Sequence, residues 1–323
     1  MTKSNFSVLI CSAGRRHALL ESFRAALATL ELPGRVIACD LDPHHSAACA
    51  SADAAYPVPR ATEPGYADAI LEIAQKENVA LVIPTIDPEL LPLAEARDRF
   101  ANAGVRVHVS DPDTIAIVRD KEETSRVLQA AGVPVPATFA EAEIRSNAEA
   151  VPWPLFAKPS GGSASRGLAV LSSPGDVPDK YPEPMIYQEL LTGPEYTINM
   201  FVDQDGDLKT VVPHRRLSVR AGEVEKGCTE RRADLHQIAE NIVRALPGLC
   251  GVACFQVIDD PKLGVRAFEI NARFGGGFPL ADYAGAHFAQ WLLEEVSDKP
   301  RTASNDWRDG AEMLRYDAAV FRG

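Results

Sequence analysis

A lysine followed by a loop of glycine and serine is the strongest local sign of chemistry in this sequence. An apolar run at residues 155–157 leads into Lys158, and a second apolar run follows at 168–171. The loop between them includes Gly161, Gly162 and Ser163. Glycines let backbone N–H groups approach a phosphate, serines add donors and lysine adds a positive charge. The segment predicts a phosphate-covering loop between two strands, with a flexible hairpin turn as the alternative.

A second polar segment follows an apolar strand at residues 185–187. The strand leads into a polar pair, a short turn and an acid, which are Gln188, Glu189, Leu190, Leu191 and Glu195. Backbone groups in such a turn can bind an adenine edge, and a carboxylate beyond it can accept hydrogen bonds from ribose hydroxyls. The alternative is a linker between domains.

A third group of polar residues lies on two predicted strands, 251–258 and 266–273. Because alternate residues of a strand share a face, Phe268 should point away from the polar face of the second strand. That polar face carries Glu269, Asn271 and Arg273. Gln256 could face them from the first strand. One carboxylate beside two amide oxygens suits a hard cation already held by phosphates, and an arginine suits a phosphate oxygen. A solvated sheet face with one ion pair is the alternative.

The first 110 residues contain the elements that would place a ligand at strand ends. Short apolar strands alternate with segments of helical periodicity, which predicts a parallel α/β sheet. Ligands bind where such strands end, and here the ends carry residues 12–16, Asp40 and residues 84–87. The turn after Gly14 either binds a small anion at the start of a helix or is a tight turn with solvated arginines. A dinucleotide site is disfavoured because the G-x-G-x-x-G pattern is missing.

The rest of the chain changes character at Asp111. A short helix beginning at Asp111-Pro112 and a second helix at 121–131 are followed by β-rich segments with Gly and Pro turns. Helical periodicity returns at 234–246 and at 280–296. These segments predict an α+β region after the α/β domain.

Composition limits the possible functions further. A chain of 323 residues suits two or three packed units, and its net charge of -12 argues against general binding to nucleic acid or anionic membranes. An anionic ligand would therefore need a locally basic pocket. No run is long enough to span a bilayer, and the N-terminus lacks a signal-peptide pattern. The six scattered cysteines indicate reduced thiols, so we expect a cytoplasmic protein.

The order of these segments resembles that of the ATP-grasp superfamily, specifically its carbamoyl-phosphate-synthetase-like carboxylate–amine ligases, over nearly the whole chain. The resemblance implies a pre-ATP-grasp α/β domain with a parallel sheet at 1–110. A two-lobed α+β ATP-grasp domain would follow, with a small lid subdomain at 111–185 and a C-terminal subdomain at 186–323. It also implies nucleotide-binding residues, which are Lys121, Lys158, Gly161, Gly162, Ser163, Gln188, Glu189, Leu190, Leu191 and Glu195. The implied metal ligands are Gln256, Glu269 and Asn271, with Arg273 just beyond them.

The same resemblance draws attention to residues 215–232, which carry six basic side chains. In members of the family the corresponding stretch lies over the triphosphate and the acceptor site. Arg216, Lys226 and Arg231 are therefore expected, with Arg273, to contact phosphate or a substrate carboxylate during catalysis. An exposed, salt-bridged hairpin is the alternative.

The activity implied by the resemblance uses ATP and Mg²⁺, with Mn²⁺ as a possible substitute. A small-molecule carboxylate would be activated as an acyl phosphate and then attacked by an amine. Alternatives are a carboxylase using bicarbonate, a kinase that stops at phosphoryl transfer, and a non-catalytic ATP-binding regulatory protein. Gln256 departs from the pattern, since many members have an acid there, and metal binding would then rest mainly on Glu269. A homodimer is common in the family.

Overall fold

The computed structural model describes residues 5–161, 167–297 and 299–322. Of the residues predicted above, Gly162 and Ser163 lie outside the described residues. No helix in the described part of the chain is long and apolar enough to cross a membrane.

The N-terminal region contains the predicted parallel sheet. Its strands are β1 (Ser7–Ile10), β2 (Val36–Asp40), β3 (Ala54–Pro57), β4 (Val79–Ile83) and β5 (Arg106–Val107). They pair in parallel in the order β3-β2-β1-β4-β5. The helices around it are α1 (His17–Thr29), α2 (Ala47–Ser51), α3 (Tyr66–Lys76), α4 (Leu90–Glu95) and α5 (Arg97–Asn102). β1 and β4 are buried throughout, as expected for apolar strands covered on both faces.

A small antiparallel sheet follows, which we call the small sheet. Its strands are β6 (Thr138–Phe139), β7 (Leu155–Pro159), β8 (Ala169–Leu171) and β9 (Met185–Glu189), in the order β6-β9-β7-β8. The helices of this region are α6 (Pro112–Arg119), α7 (Lys121–Ala130) and α8 (Glu141–Ser146). β7 and β8 pair on either side of the glycine and serine loop, which confirms the predicted strand-loop-strand arrangement.

The C-terminal region contains a six-stranded antiparallel sheet, the large sheet. Its strands are β10 (Glu195–Val202), β11 (Leu208–Arg220), β12 (Glu223–Thr229), β13 (Gly251–Asp260), β14 (Gly264–Asn271) and β15 (Glu312–Leu314). Their order is β14-β13-β10-β11-β12-β15. The helices are α9 (Ala233–Ala245), α10 (Phe278–Ala284) and α11 (Phe288–Val296). The helical periodicity predicted at 280–296 is divided between α10 and α11, because Gly285 adopts a φ of 119° and ends α10.

Two large apolar cores join the parallel sheet to the large sheet. One contains Leu9 of β1, Ile198 of β10 and Ile242 of α9. The other is centred on Phe274, whose ring lies 6.2 Å from that of Phe23 in α1 and 5.3 Å from that of Phe278. The small sheet has a separate core. The parallel sheet is therefore packed against the large sheet through these two cores.

Candidate active site

A cavity of about 730 Å³ lies where the ends of the parallel strands, the small sheet and one face of the large sheet meet. Along β10, Tyr196 and Ile198 point into the core that contains α9, whereas Glu195 and Thr197 line the cavity. The predicted residues in its lining are Lys121, Lys158, Gln188, Glu189, Leu190, Leu191, Glu195, Arg216, Gln256, Glu269, Asn271 and Arg273. The three polar segments that are far apart in sequence thus face one space.

Lys158 is the last charged side chain of β7 and lies almost fully buried at the cavity wall. Its Nζ donates a hydrogen bond to the carbonyl oxygen of Phe268, 3.2 Å away, and lies 5.4 Å from the centre of that ring. The pKa of Lys158 is lowered to about 8, chiefly by burial; Glu269 opposes the shift and nearby Lys121 contributes to it. A buried ammonium group whose charge is only partly balanced by neighbouring groups is well suited to bind an anion.

Lys121 stands at the first position of α7 and also lines the cavity. Asp120 caps this helix by accepting hydrogen bonds from the backbone N–H groups of Glu122 and Glu123, which fixes where the helix begins. The Lys121 Nζ donates to the carbonyl oxygen of Ser160, 3.3 Å away, at the start of the glycine and serine loop. Burial lowers the pKa of Lys121 from its ordinary value.

The three predicted metal ligands lie side by side on β13 and β14. Gln256 is paired with Glu269, and Cys254 with Asn271, across the two antiparallel strands. The amide oxygens of Asn271 and Gln256 accept hydrogen bonds from Arg273 and Arg216, at 2.9 and 3.1 Å.

This donor set fits a hard cation that phosphate oxygens hold for the most part. No group of three or more His, Cys, Asp and Glu side chains in the described ranges could hold a metal by itself. Glu269 is the only carboxylate among the three predicted ligands. The metal ion would therefore bind together with a phosphate ligand, and Glu269 would supply the negative charge that the protein contributes to the site.

The structure corrects the predicted orientation of Phe268. Val257 is paired with Ala267 and Gln256 with Glu269, so Phe268 is an extra residue in β14. Such a bulge interrupts the alternation of side chains, and Phe268 lines the cavity beside Glu269. Ile270, by contrast, lies in the core. The bulge brings the Phe268 carbonyl to Lys158 and places an aromatic ring in the cavity wall.

Arg273 is held by Asp87, an acid at the end of a predicted strand whose pairing with Arg273 was not predicted from the sequence. Its Nε and Nη2 donate to the two carboxylate oxygens of Asp87, at 2.9 and 3.1 Å. Asp87 follows β4, so this ion pair ties the end of a parallel strand to the end of β14. Burial opposes ionisation of Asp87, but Arg273 and Arg119 bring its pKa below the ordinary value. Arg273 is thus rigidly oriented toward the cavity.

The hinge after β9 forms another part of the cavity. Glu189 is anchored because its backbone N–H donates to Ala137 O and its side chain accepts from Ala137 N, both at 3.0 Å. Glu195 is bound by the Nη1 of Arg216, which also reaches Gln256. Burial raises the pKa of Glu195, and Arg216 opposes the shift. Arg216 thus contacts both the acid near the hinge and one predicted metal ligand.

Three of the described residues predicted for the site do not line the cavity. Gly161 has no atom within 4 Å of the position a Cβ would occupy. Lys226 is an exposed residue of β12, between β11 and β15. Arg231 lies over the ring of Trp307, with its guanidinium carbon 4.1 Å from the ring centre, and donates to the carbonyls of Trp307 and Asn305.

Arg231→Ala is expected to leave nucleotide binding unchanged and to lower the free energy of unfolding by about 0.5–1 kcal/mol, the usual size of an exposed cation–π contact. Calorimetric titration with ATP and urea denaturation measure the two effects. A loss of ATP affinity of about tenfold, or 1.4 kcal/mol, would show that Arg231 takes part in nucleotide binding after all.

Several further residues line the cavity. Arg15 and Arg16 follow β1, and residues 85–88 follow β4. Further lining residues come from the start of β12 and the turn before it, and from the loop after β14, namely Gly222, Glu223, Gly275, Gly276 and Gly277. The position of Arg15 and Arg16 at a strand end was the signal available in the sequence. Asp87 carried the same signal, because it also follows a predicted strand, whereas Glu223 carried no comparable signal.

Two family models match the chain. One, described as a PylC-like N-terminal domain, matches residues 8–108. The other, described as ATP-grasp in the biosynthetic pathway with Ter operon, matches residues 181–318. The chain is an ATP-grasp protein. Its ATP-grasp match begins just before β9 and includes the hinge, Glu269 and Asn271.

Solved structures with the same fold are distant in sequence from this ATP-grasp chain. Biotin carboxylase from Campylobacter jejuni, in a β,γ-ATP complex, has a TM-score of 0.73 at 17% identity, over 90% of this chain and 70% of that one. N5-carboxyaminoimidazole synthetase from Staphylococcus aureus, complexed with ADP, has a TM-score of 0.73 at 13% identity, over 95% of this chain and 82% of that one.

A third similar structure is the biotin carboxylase domain of 2-oxoglutarate carboxylase from Hydrogenobacter thermophilus, in complex with MgADP and bicarbonate. It has a TM-score of 0.73 at 16% identity, over 95% of this chain and 73% of that one. No curated protein matches the chain in sequence. At these identities the solved structures establish the shared fold alone.

Proposed function

We propose that the protein binds MgATP in this cavity and activates a small-molecule carboxylate as an acyl phosphate, which an amine then attacks. The observation that supports this most directly is the set of four cations, Lys121, Lys158, Arg216 and Arg273, around the carboxylate of Glu269 in one cavity. Such a set suits a triphosphate with a divalent cation. No covalent intermediate on the protein is needed.

The reaction would proceed in two displacements. A carboxylate oxygen attacks the γ-phosphorus of ATP, the bond to the β-phosphate oxygen breaks and ADP leaves. The amine nitrogen then attacks the acyl carbon, phosphate leaves and the nitrogen loses a proton. In both steps the protein positions the reactants and stabilises negative charge, which is how phosphoryl-transfer sites generally act.

Individual residues take distinct parts in this scheme. Lys158 and Lys121 bind phosphate oxygens, and the hinge residues Glu189 to Leu191 bind the base. Arg273, oriented by Asp87, binds the carboxylate or the transferring phosphoryl group. A magnesium ion, held by phosphates with Glu269, Asn271 and Gln256, would neutralise charge on the β- and γ-phosphates.

ADP release identifies the activity. Purified protein is given MgATP with pools of amino acids and other small carboxylates and amines, and ADP is measured. ADP that forms only with both a carboxylate and an amine supports the ligase. ADP formation with bicarbonate as the sole carboxylate would contradict the ligase and indicate a carboxylase. A stable phosphorylated product that forms without an amine would contradict the ligase and indicate a kinase. ATP binding without ADP formation in any pool would contradict an enzymatic function.

Affinity for ATP should fall as pH rises above 8. Lys158, with a pKa of about 8, binds phosphate only when it is protonated, so a phosphate ligand raises its pKa. The dissociation constant should then rise by up to about tenfold per pH unit above 8, until the pKa of the bound state is reached.

Calorimetric titration with MgATP between about pH 7 and 9.5 measures this dependence, because ordinary lysines, with a pKa of about 10.4, stay mostly protonated in that range. Lys158→Arg keeps its charge throughout and should flatten the dependence. Any dependence of ATP affinity on pH that remains in Lys158→Arg would come from Lys121, whose pKa is also lowered. Equal slopes in both proteins would contradict the role of Lys158.

A further inference from the structure

The end of the cavity nearest the parallel sheet carries more positive charge than its own acids neutralise. Arg15, Arg16 and Arg273 all line it. Arg273 is paired with Asp87. Arg16 shares one acid, Glu223, with Arg315 of the C-terminal segment, at 3.3 and 2.9 Å.

Arg15 forms no direct ion pair with an acid, although its charge helps at longer range to lower the pKa values of Glu223 and Asp317. In the described part of the chain, no side chain forms an ion pair or hydrogen bond with its guanidinium group. The carboxylate of Asp317, another acid of this region, is held by Arg220 at 2.6 Å. In a protein with a net charge of -12, the four arginines of this region have only two directly paired carboxylates, Asp87 and Glu223, which leaves a local positive surplus.

The arginines that line this end of the cavity also repel one another. Burial lowers the pKa of Arg16, Glu223 opposes that shift, and Arg273, Arg315 and Arg15 lower the pKa further. A bound anion would relieve this repulsion, and arginine is the side chain best suited to hold a carboxylate or a phosphate by two parallel hydrogen bonds.

The glycines after β14 keep this end of the cavity open and its acid in place. A Cβ at Gly276 would lie 2.7 Å from the carboxyl carbon of Glu223, and a Cβ at Gly277 would lie 2.6 Å from the buried ring of His214. Side chains at these positions would therefore displace Glu223 from Arg16 or fill the cavity. The nucleotide, in the function proposed above, is already supplied with cations by Lys121, Lys158 and Arg216.

We propose that Arg15 and Arg16 form an anion subsite for a substrate that carries a carboxylate or phosphate group not consumed in the reaction. This assignment rests on the proposed function, because it places the second substrate next to the phosphoryl group of ATP. It narrows the substrate from any amine or carboxylate to one with an additional negative group. Glu223 positions Arg16 and Arg315 around that group.

Calorimetric titration of the wild type, Arg15→Glu, Arg15→Ala and Arg60→Glu tests the subsite. Arg60 is exposed and lies outside the cavity lining, so Arg60→Glu controls for the change in net charge. Each protein is first titrated with Mg²⁺ and a non-hydrolysable ATP analogue, which fills the γ-phosphate position. The loaded protein is then titrated with inorganic phosphate and, separately, with glutarate.

The loaded wild type is expected to bind at least one of the two anions with a millimolar dissociation constant or better. Arg15→Glu should weaken that binding at least about tenfold, Arg15→Ala should weaken it less, and Arg60→Glu should leave it unchanged. Tighter binding of phosphate would indicate a phosphorylated substrate, and tighter binding of glutarate a substrate with a second carboxylate.

Three results would overturn the subsite while leaving the proposed function in place. The first is that the loaded wild type binds neither anion. The second is that the substitutions at Arg15 leave anion binding unchanged. The third is that Arg15→Glu lowers the affinity for the ATP analogue as much as it lowers the affinity for the anion. The last result would assign Arg15 to the nucleotide. A wild type that does not bind the ATP analogue would instead reject the proposed function, and the subsite with it.

Discussion

Lys158→Ala should reduce ATP-dependent ADP release by about 100-fold or more, the usual cost of removing a preorganised donor to developing negative charge. The side chain is 5% exposed and its ammonium group has one carbonyl partner, so its charge is directed into the cavity with little screening. The loss should be divided between affinity for ATP and turnover, because the same charge binds the ground state and the transferring phosphoryl group. ADP release under a pool that supports turnover and calorimetric titration with MgATP measure the two parts.

Lys226→Ala is the matched control for this substitution. Lys226 is an exposed lysine of β12 outside the cavity, although the sequence analysis included it among the catalytic residues. We expect an unchanged rate and unchanged affinity. Equal losses in both variants would mean that the cavity described here is not the nucleotide site, and a loss in Lys226→Ala alone would restore the sequence prediction.

Glu269→Gln should have the second-largest effect. The substitution keeps the shape of the side chain and removes the single carboxylate among the predicted metal ligands. The Mg²⁺ concentration that gives half-maximal rate should rise at least about tenfold, because charge-assisted contacts of a carboxylate contribute roughly 1.5–3 kcal/mol. The rate at limiting Mg²⁺ should fall accordingly. ADP release measured across a series of Mg²⁺ concentrations shows both effects.

Gln256→Glu provides the opposite change at the neighbouring position. It adds a carboxylate next to Glu269 on the paired strand, within reach of Arg216. Half-saturation should then require less Mg²⁺ than in the wild type. If Glu269→Gln alters the maximal rate without changing the Mg²⁺ dependence, Glu269 serves the reaction in another way, such as by opposing the charges of Lys121 and Lys158.

Most of the secondary structure and the cofactor side of the site could be predicted from local patterns. The parallel sheet followed from strands alternating with helices, and sheet pairing confirms it. The hinge after β9 was predicted from an apolar strand that leads into a polar pair, a turn and an acid. Glu269, Asn271 and Arg273 on and just after β14 were predicted to share a face because a strand repeats every two residues. The predicted domain limits at 110 and 185, and the roles of the individual site residues, remain predictions.

Where local patterns failed, the cause was a contact or a backbone irregularity set by distant parts of the chain. Phe268 was assigned to the wrong face because a bulge between β13 and β14 depends on strand pairing. The pairing of Arg273 with Asp87 joins residues 186 positions apart. Arg231 was placed with the phosphate-binding arginines, whereas the structure brings it to Trp307, a residue far along the chain.

The sequence by itself determined the order of the elements and the family resemblance, because strand and helix periodicities and short motifs are local properties. It also determined the residue types that suit a phosphate and a magnesium ion. Only the tertiary structure decided which of the basic residues share one cavity. That choice depends on how the parallel sheet packs against the large sheet through the core around Phe274, which brings Arg15, Arg16 and Asp87 to Glu223 and Arg273.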